Sequence, residues 1–447
     1  MSRYNVLILG SGGREHTLAW SVSRSPLLGK LFIAPGNPGT GTLGENVPLS
    51  PGDFPDPQAW FEALADLIRR EEIALTVVGP EQPLVDGVAD YLEERGHKVF
   101  GPSKTAAGLE GSKIFAKRIM HKYGIPTAGS VEFDGPSVLD DLGQWLSNEN
   151  SDWPCVIKAD GLAAGKGVFI CTNRDEAIEH LQRIRSDKTL SDAASRVVVE
   201  EFMTGEEASV FAITDGKNAR LLLSAQDHKR IGDGDTGLNT GGMGAYAPAP
   251  VVNAEMLRIV EETILYPTLR AMEEEGHPYR GVLYMGLMIT KDGPRVVEYN
   301  CRFGDPECQV LLPALKTDLL EVMLATAGSR LDEVEIICHD HHYCGVVMAS
   351  GGYPEHYEKG KKIEGLDRVS DDTLVFHSGT RLADGDLLTN GGRVLTVVCR
   401  GDDLRSAIDA CYREVEKITF DNACYRSDIG AKGLKYGLND ESADDLA

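Results

Sequence analysis

The first hundred residues repeat one pattern, a short apolar run followed by a turn and an amphipathic stretch, and few architectures accept that pattern. Val6 to Leu9 is an apolar strand that runs into Gly10-Ser11-Gly12-Gly13-Arg14-Glu15-His16 and then into a helix reaching about Ser23. The alternation continues with a strand in LFIAPGN, a helix around Pro57 to Arg70, a strand at Ala74 to Val78 and a turn at Gly79-Pro80-Glu81. A helix near Val85 to Glu94 and a strand at Lys98 to Phe100 complete it. Strands alternating with helices predict an open parallel α/β unit. Ligands of such sheets sit beyond the carboxyl ends of the strands, where the Gly10 loop, Asn37 and Glu81 converge.

The Gly10 loop leads into a helix whose first N–H groups can hold an anion. It fails as a dinucleotide fingerprint, because Glu15 replaces the third glycine and LFIAPGN ends without an acidic residue for a ribose. A small phosphate ligand on Gly10, Gly12, Gly13 and Arg14 is one reading; a tight turn that lets helix and strand pack is the other. For Asn37, a rigid Pro-Gly-Asn-Pro-Gly turn competes with ligand binding in the same way.

Gly101-Pro102-Ser103 marks a boundary, and a helical stretch from Thr105 to Tyr123 follows, with Lys113 and Lys117 on one face. Solvent exposure is the plain expectation for two like charges at that spacing, a phosphate partner the sharper one. A smaller α/β segment leads into CVIKADGLAAGKGVFICT, Cys155 to Thr172, where two apolar strands flank a loop with Gly161, Gly165, Gly167, Lys158 and Lys166. Glycines let backbone close over phosphates and lysines supply point charges. It is no P-loop, since Gly167 stands where Ser or Thr would follow the lysine. A hairpin with a flexible tip is the alternative.

RVVVEEF, Arg196 to Phe202, ends a strand in two carboxylates; the hinge beyond it suits an adenine edge and Glu207 a ribose, although acidic clusters between strands are usually solvated. Asp227-His228-Lys229-Arg230 then opens a segment without apolar periodicity that carries Asn239, Thr240 and Gly241. A loop of that length is either functional or disordered, and its mix of Asp, Lys, Asn, Thr and Gly suits closure on a substrate.

RVVEYNCRFGDPE, Arg295 to Glu307, holds the most chemistry. An unbroken strand puts Val296, Glu298, Asn300 and Arg302 on one face and Val297, Tyr299 and Cys301 on the other. Glu298 and Asn300 offer hard oxygen ligands to Mg²⁺ (or Mn²⁺), and Arg302 can grip a carboxylate or phosphate bidentately. A solvent-facing edge strand with a chance salt bridge is the bland alternative.

Bulk properties exclude some functions. A net charge of −24 over 447 residues disfavours nucleic-acid and anionic-membrane partners, and no apolar window approaches bilayer length. Nine cysteines without a CxxC pair predict buried thiols. With no apolar signal-peptide core in MSRYNVLILGSGG, the expected compartment is the cytoplasm. Beyond Leu331 short strands and turns precede a helix at Leu404 to Ile418. His339-Asp340-His341-His342 lacks a well-spaced fourth ligand and is read as surface histidines.

Together GSGGREH, APGNPGT, VVGPE, LEGSK, IKADGLAAGKGV, EEF with GEEAS, QDHKR, NTGGMGAYAPAP, EYNCRFGDPE, ASGGYP and TNGGRVL resemble the ATP-grasp ligases, and among them the phosphoribosylamine–glycine ligase family. The likeness reaches to about Gly430; Ser11 departs from an expected Asn and Leu238 from an expected Pro. It implies an N-terminal α/β domain over 1–104 and an ATP-grasp domain over 105–331 with a small mobile lid at about 127–198. A C-terminal mixed α+β domain over 332–431 and an acidic tail over 432–447 follow.

The resemblance implies ligation of glycine to 5-phosphoribosylamine through a glycyl phosphate at the expense of ATP, giving glycinamide ribonucleotide. It puts Lys113, Lys158 and the Gly161, Gly165, Lys166 and Gly167 loop over the polyphosphate, Glu200, Glu201 and Phe202 at adenine, and Glu207 at ribose. Glu298 and Asn300 hold the metal. Arg302, Lys158 and Asp227 are the catalytic candidates. Arg302, Asp227, Lys229, Asn239, Thr240 and Gly241 face glycine and the amine, and Gly10, Gly12, Gly13, Arg14, Asn37 and Glu81 the phosphoribosyl group. A monomer is expected, with transient contact to the enzyme that makes the labile amine. The rivals are a nucleotide-dependent dehydrogenase, a noncatalytic nucleotide-binding regulator and a sibling ligase for another carboxylate.

Overall fold

The structure is a computed structural model and describes residues 3–135, 137–147, 153–162, 167–186 and 196–440. The N-terminal sheet is wholly parallel, in the order Glu45–Asn46, Leu28–Pro35, Tyr4–Gly10, Ile73–Val78, Val99–Phe100. Both faces of Tyr4–Gly10 are covered: Leu7 and Leu9 enter one core, Val6 and Ile8 the other. The chain winds outward in opposite directions from the gap between Tyr4–Gly10 and Ile73–Val78. A crevice therefore opens past Gly10 and Val78, as the alternation predicts.

The central sheet is antiparallel, in the order Ala219–Leu221, Glu206–Asp215, Arg280–Thr290, Gly293–Asn300. A separate four-stranded sheet of Ser130–Asp134, Arg196–Glu201, Cys155–Ala159 and Val168–Cys171 carries the helices Val138–Leu146 and Arg174–Ser186. It has its own core, built on Leu142, Leu146, Ile157, Phe169 and Val199. The third unit pairs Gln226–Asp227, Gly244–Ala247, His342–Ser350, Arg393–Gly401 and Leu374–His377, with the helix Leu404–Val415 against it. Two of its strands flank the long loop, so that loop is tied to the C-terminal unit. Among the described residues no helix is long and apolar enough to cross a membrane. All nine cysteines are free, and seven are buried.

Several elements depart from the sequence reading. The stretch Thr105 to Tyr123 forms two helices, Lys104–Gly111 and Lys113–Lys122, broken at Ser112, whose hydroxyl accepts from Phe115 N at 3.1 Å. Lys117 is buried rather than exposed, at 2%. The expected helix Val85 to Glu94 is interrupted by left-handed Gly87. The segment after Arg230 is an ordered hairpin, Arg230–Gly232 against Thr236–Asn239.

Candidate active site

The strand Gly293–Asn300 organises the cleft, but not by simple alternation. Gly286 pairs with Glu298 while Leu287 pairs with Val296, so Val297 is an extra residue, a β-bulge. The bulge flips the pattern, and Val296 joins Tyr299 and Cys301 in the core instead of lining the cleft with Glu298 and Asn300. The freed carbonyl of Val297 accepts from Lys158 Nζ at 3.2 Å, which fastens the small sheet to the central one. Glu298 is half-exposed and Asn300 is buried. Among the described residues neither side chain has a hydrogen-bond partner, and the nearest cation to Glu298 is Lys229 at 3.9 Å.

Facing them is a row of lysines. The break at Ser112 starts a helix at Lys113, whose Nζ donates to Gly161 O at 2.9 Å. Burial lowers the Lys113 pKa. Ala159 N donates to Gly167 O at 2.8 Å, closing the base of the glycine loop; Gly165 and Lys166 lie outside the described residues. Glu200 is not free to meet adenine with its side chain, because its buried carboxylate lies 3.0 Å from Lys158 and 3.2 Å from Lys117. Burial pulls Lys117 down to about 8 against the pull of Glu200. Glu201 pairs with Arg295 at 2.6 Å, and Phe202 is exposed at the hinge.

Beyond the hinge, Glu207 holds Lys229 at 2.7 Å. Asp227 is pushed up to about 7: burial raises it, Lys229 opposes, and Glu307, Glu207 and Glu298 add to the rise. Glu307 itself is buried and accepts from the hydroxyls of Tyr284 at 2.7 Å and Ser209 at 3.2 Å. Thr240 donates to Lys229 O through its N–H and its hydroxyl, at 2.7 and 2.9 Å. Gly241 N donates to Tyr353 OH at 3.0 Å, and Asn239 is exposed.

The third wall is a junction of charges between the first and second units. Arg302 lies 3.0 Å from Glu81 and 2.7 Å from Glu110. Arg14 is buried against Glu15 at 2.7 Å and donates to Phe303 O at 3.2 Å. Here the phosphate reading of the Gly10 loop needs correction. Glu15 folds back so that its carboxylate accepts from Gly12 N at 2.6 Å, and its stem lies where a Cβ on Gly10 would be, 2.5 Å away. The Gly12 N–H is thus taken up from within the chain and is not free for an anion. Asn37 is corrected likewise: its amide donates to Ser11 O and His377 O at 2.8 and 2.9 Å and accepts from Gly39 N and Thr40 N at 2.8 and 3.1 Å. That leaves a structural clasp, not a ligand contact. Gly13 is packed against Gln309 and Ser378.

Three family models cover the chain: phosphoribosylglycinamide synthetase, N domain, at residues 4–110; its ATP-grasp (A) domain at 111–308; and its C domain at 343–432. A phosphoribosylamine–glycine ligase of Chlorobaculum tepidum is 51% identical over 432 residues, 96% of this chain and 100% of that one. The chain belongs to the phosphoribosylamine–glycine ligase family. The crystal structure of a phosphoribosylamine–glycine ligase from Thermotoga maritima agrees in fold with a TM-score of 0.81 at 35% identity, covering 95% of this chain and 100% of that one. A biotin carboxylase domain of 2-oxoglutarate carboxylase from Hydrogenobacter thermophilus, crystallised with MgADP, shares the fold alone: TM-score 0.71, 14% identity, covering 95% and 92%.

Phosphoribosylamine–glycine ligases are carbon–nitrogen ligases, and the cleft holds groups that the sequence reading left without a role. Glu307, Tyr284 and Ser209 form one buried cluster behind Asp227. Glu110 completes the grip on Arg302, and Arg393 reaches from the C-terminal unit to the carbonyls of Gly241 and Asp305, both at 2.6 Å. Glu110, Glu307 and Arg393 all stand inside the motifs LEGSK, EYNCRFGDPE and TNGGRVL; only their partners, distant in sequence, give them meaning.

Proposed function

We propose that this chain ligates glycine to 5-phosphoribosylamine in de novo purine biosynthesis, consuming ATP and releasing ADP, phosphate and glycinamide ribonucleotide. A carboxylate is a poor electrophile. A glycine carboxylate oxygen attacks the γ-phosphorus of ATP, the bond to ADP breaks, and glycyl phosphate forms. The amine nitrogen then attacks the acyl carbon, the C–O bond breaks, and phosphate leaves carrying that oxygen. Transfer between anions needs charge neutralisation more than covalent help from the protein.

One observation carries this reading: Lys113 and Lys158 face Glu298 and Asn300 across a cleft whose far wall is Asp227 and Lys229. The lysines take the polyphosphate. Glu298 and Asn300 fit Mg²⁺ or Mn²⁺, since both offer oxygen donors that no described residue occupies. A bound cation there would offset charge on the triphosphate. The hinge at Glu201 and Phe202 receives adenine and Glu207 the ribose. Lys229 releases Glu207 to meet glycine, and Asp227, near neutrality, accepts the proton of the attacking amine. Arg302 and Arg14, with Glu81, receive the phosphoribosyl group at the junction. The free thiols are in keeping with a cytoplasmic enzyme.

The test is release of ADP with each substrate left out in turn. ADP appears at full rate only with ATP, Mg²⁺, glycine and phosphoribosylamine together; equal release without glycine, or with another acid in its place, refutes the proposal.

A further inference from the structure

We infer that the segment Arg426 to Lys432 is a strap that positions the substrate loop, with Arg426 as its positioning residue. This rests on the assignment of Lys229 and Thr240 to substrate. The hairpin between them has no packing of its own: residues 233 to 239 are all exposed. Its base is fixed by Thr240 on the carbonyl of Lys229. Among the described residues, the contacts that its tip, Asp233 to Asp235, makes outside the hairpin come from the strap. Ser427 N donates to Asp233 at 2.9 Å, and the Ser427 hydroxyl bonds the same carboxylate. Gly234 N donates to Asp428 at 2.9 Å, and Lys432 lies 2.6 Å from Asp235.

Arg426 joins these contacts. It is 1% exposed, grips Asp428 through Nε and Nη2 at 2.7 Å each, and sends Nη1 to Asp235 at 2.9 Å and to Arg230 O at 3.1 Å. The strap is in turn anchored to the helix Leu404–Val415, where Tyr412 OH donates to Arg426 O at 2.7 Å and accepts from Ile429 N at 3.0 Å. One guanidinium thus reads the positions of two segments, and its fork geometry is what an ammonium cannot copy. Glycine and the amine meet the loop that this strap holds, whereas Lys113 and Lys158, the polyphosphate contacts, lie on other elements. Loss of Arg426 therefore loosens one substrate and spares the other.

The experiment compares Arg426→Gln, Arg426→Lys and, at a half-exposed position that spares the fold, Lys432→Ala. Glycine KM rises about tenfold in Arg426→Gln and about threefold in Lys432→Ala, ATP KM stays within about twofold, and Arg426→Lys recovers part of the loss. Amide exchange over residues 230 to 240 quickens in Arg426→Gln and Lys432→Ala. Unchanged constants, glycine and ATP constants that rise in step, or unchanged hairpin exchange overturn the inference. Should the wild-type chain release no ADP in response to glycine, the proposed reaction fails, and exchange alone decides the strap: faster keeps it, unchanged removes it.

Discussion

Asp227 is a cleft carboxylate whose surroundings move it far from its ordinary range. Burial and three neighbouring carboxylates raise it to about 7 although Lys229 is near. A carboxyl raised in this way is protonated below that pH and cannot take a proton from the amine. The rate of glycine-dependent turnover therefore climbs between pH 6 and 8 with a midpoint near 7, and Asp227→Asn lowers it by about 10² or more and flattens the climb. A pH profile of both enzymes checks this; an Asp227→Asn variant that keeps the wild-type profile removes Asp227 from the chemistry. At this scale the sequence was informative where polar residues stood together in an apolar setting, as Lys158, Glu298 and Asn300 do. It pointed the wrong way on Lys117, expected at the surface, left the turn and ligand readings of Asn37 undecided, and did not show Glu15 turning back, because partners such as Glu200, His377 O and Gly12 N decide these. Periodicity cannot show contacts of that kind.

Two irregularities of elements, the break at Ser112 and the bulge at Val297, set the cleft's width and what points into it. Gly111 and Ser112 disfavour a helix interior and serine favours an N-cap, so the break has a local signal that a single helix from Thr105 to Tyr123 passes over. In the fold the Ser112 hydroxyl caps the second helix and also donates to Asp160 at 3.0 Å, just ahead of Gly161. Ser112→Ala removes both bonds. The variant loses about 1 kcal/mol of stability and, because Lys113 starts that helix, ATP KM rises severalfold while glycine KM does not. Denaturant unfolding with paired KM measurements tests it, and an unchanged ATP KM would mean that Lys113 is held without the cap. The bulge escapes strict alternation for the opposite reason. Val296 and Val297 are equally apolar, so either could face the core, and only the pairing with Gly286 and Leu287 decides.

Across the whole molecule the order of the units was legible because each has its own pattern: strand–helix alternation first, glycine-rich hairpins next, short strands last. Their assembly was less so. The last sheet recruits Gln226–Asp227 and Gly244–Ala247, and those strands flank the loop that carries Lys229 and Thr240, so the walls of the cleft meet only once all the units are in place. Such a cleft makes sense for joining two small molecules through an activated carboxylate, and that is the claim on which the rest depends. Glycine labelled with ¹⁸O in both carboxylate oxygens tests it most directly. If glycyl phosphate forms, each molecule of phosphate released carries one ¹⁸O and the amide retains the other; phosphate free of label would contradict the account.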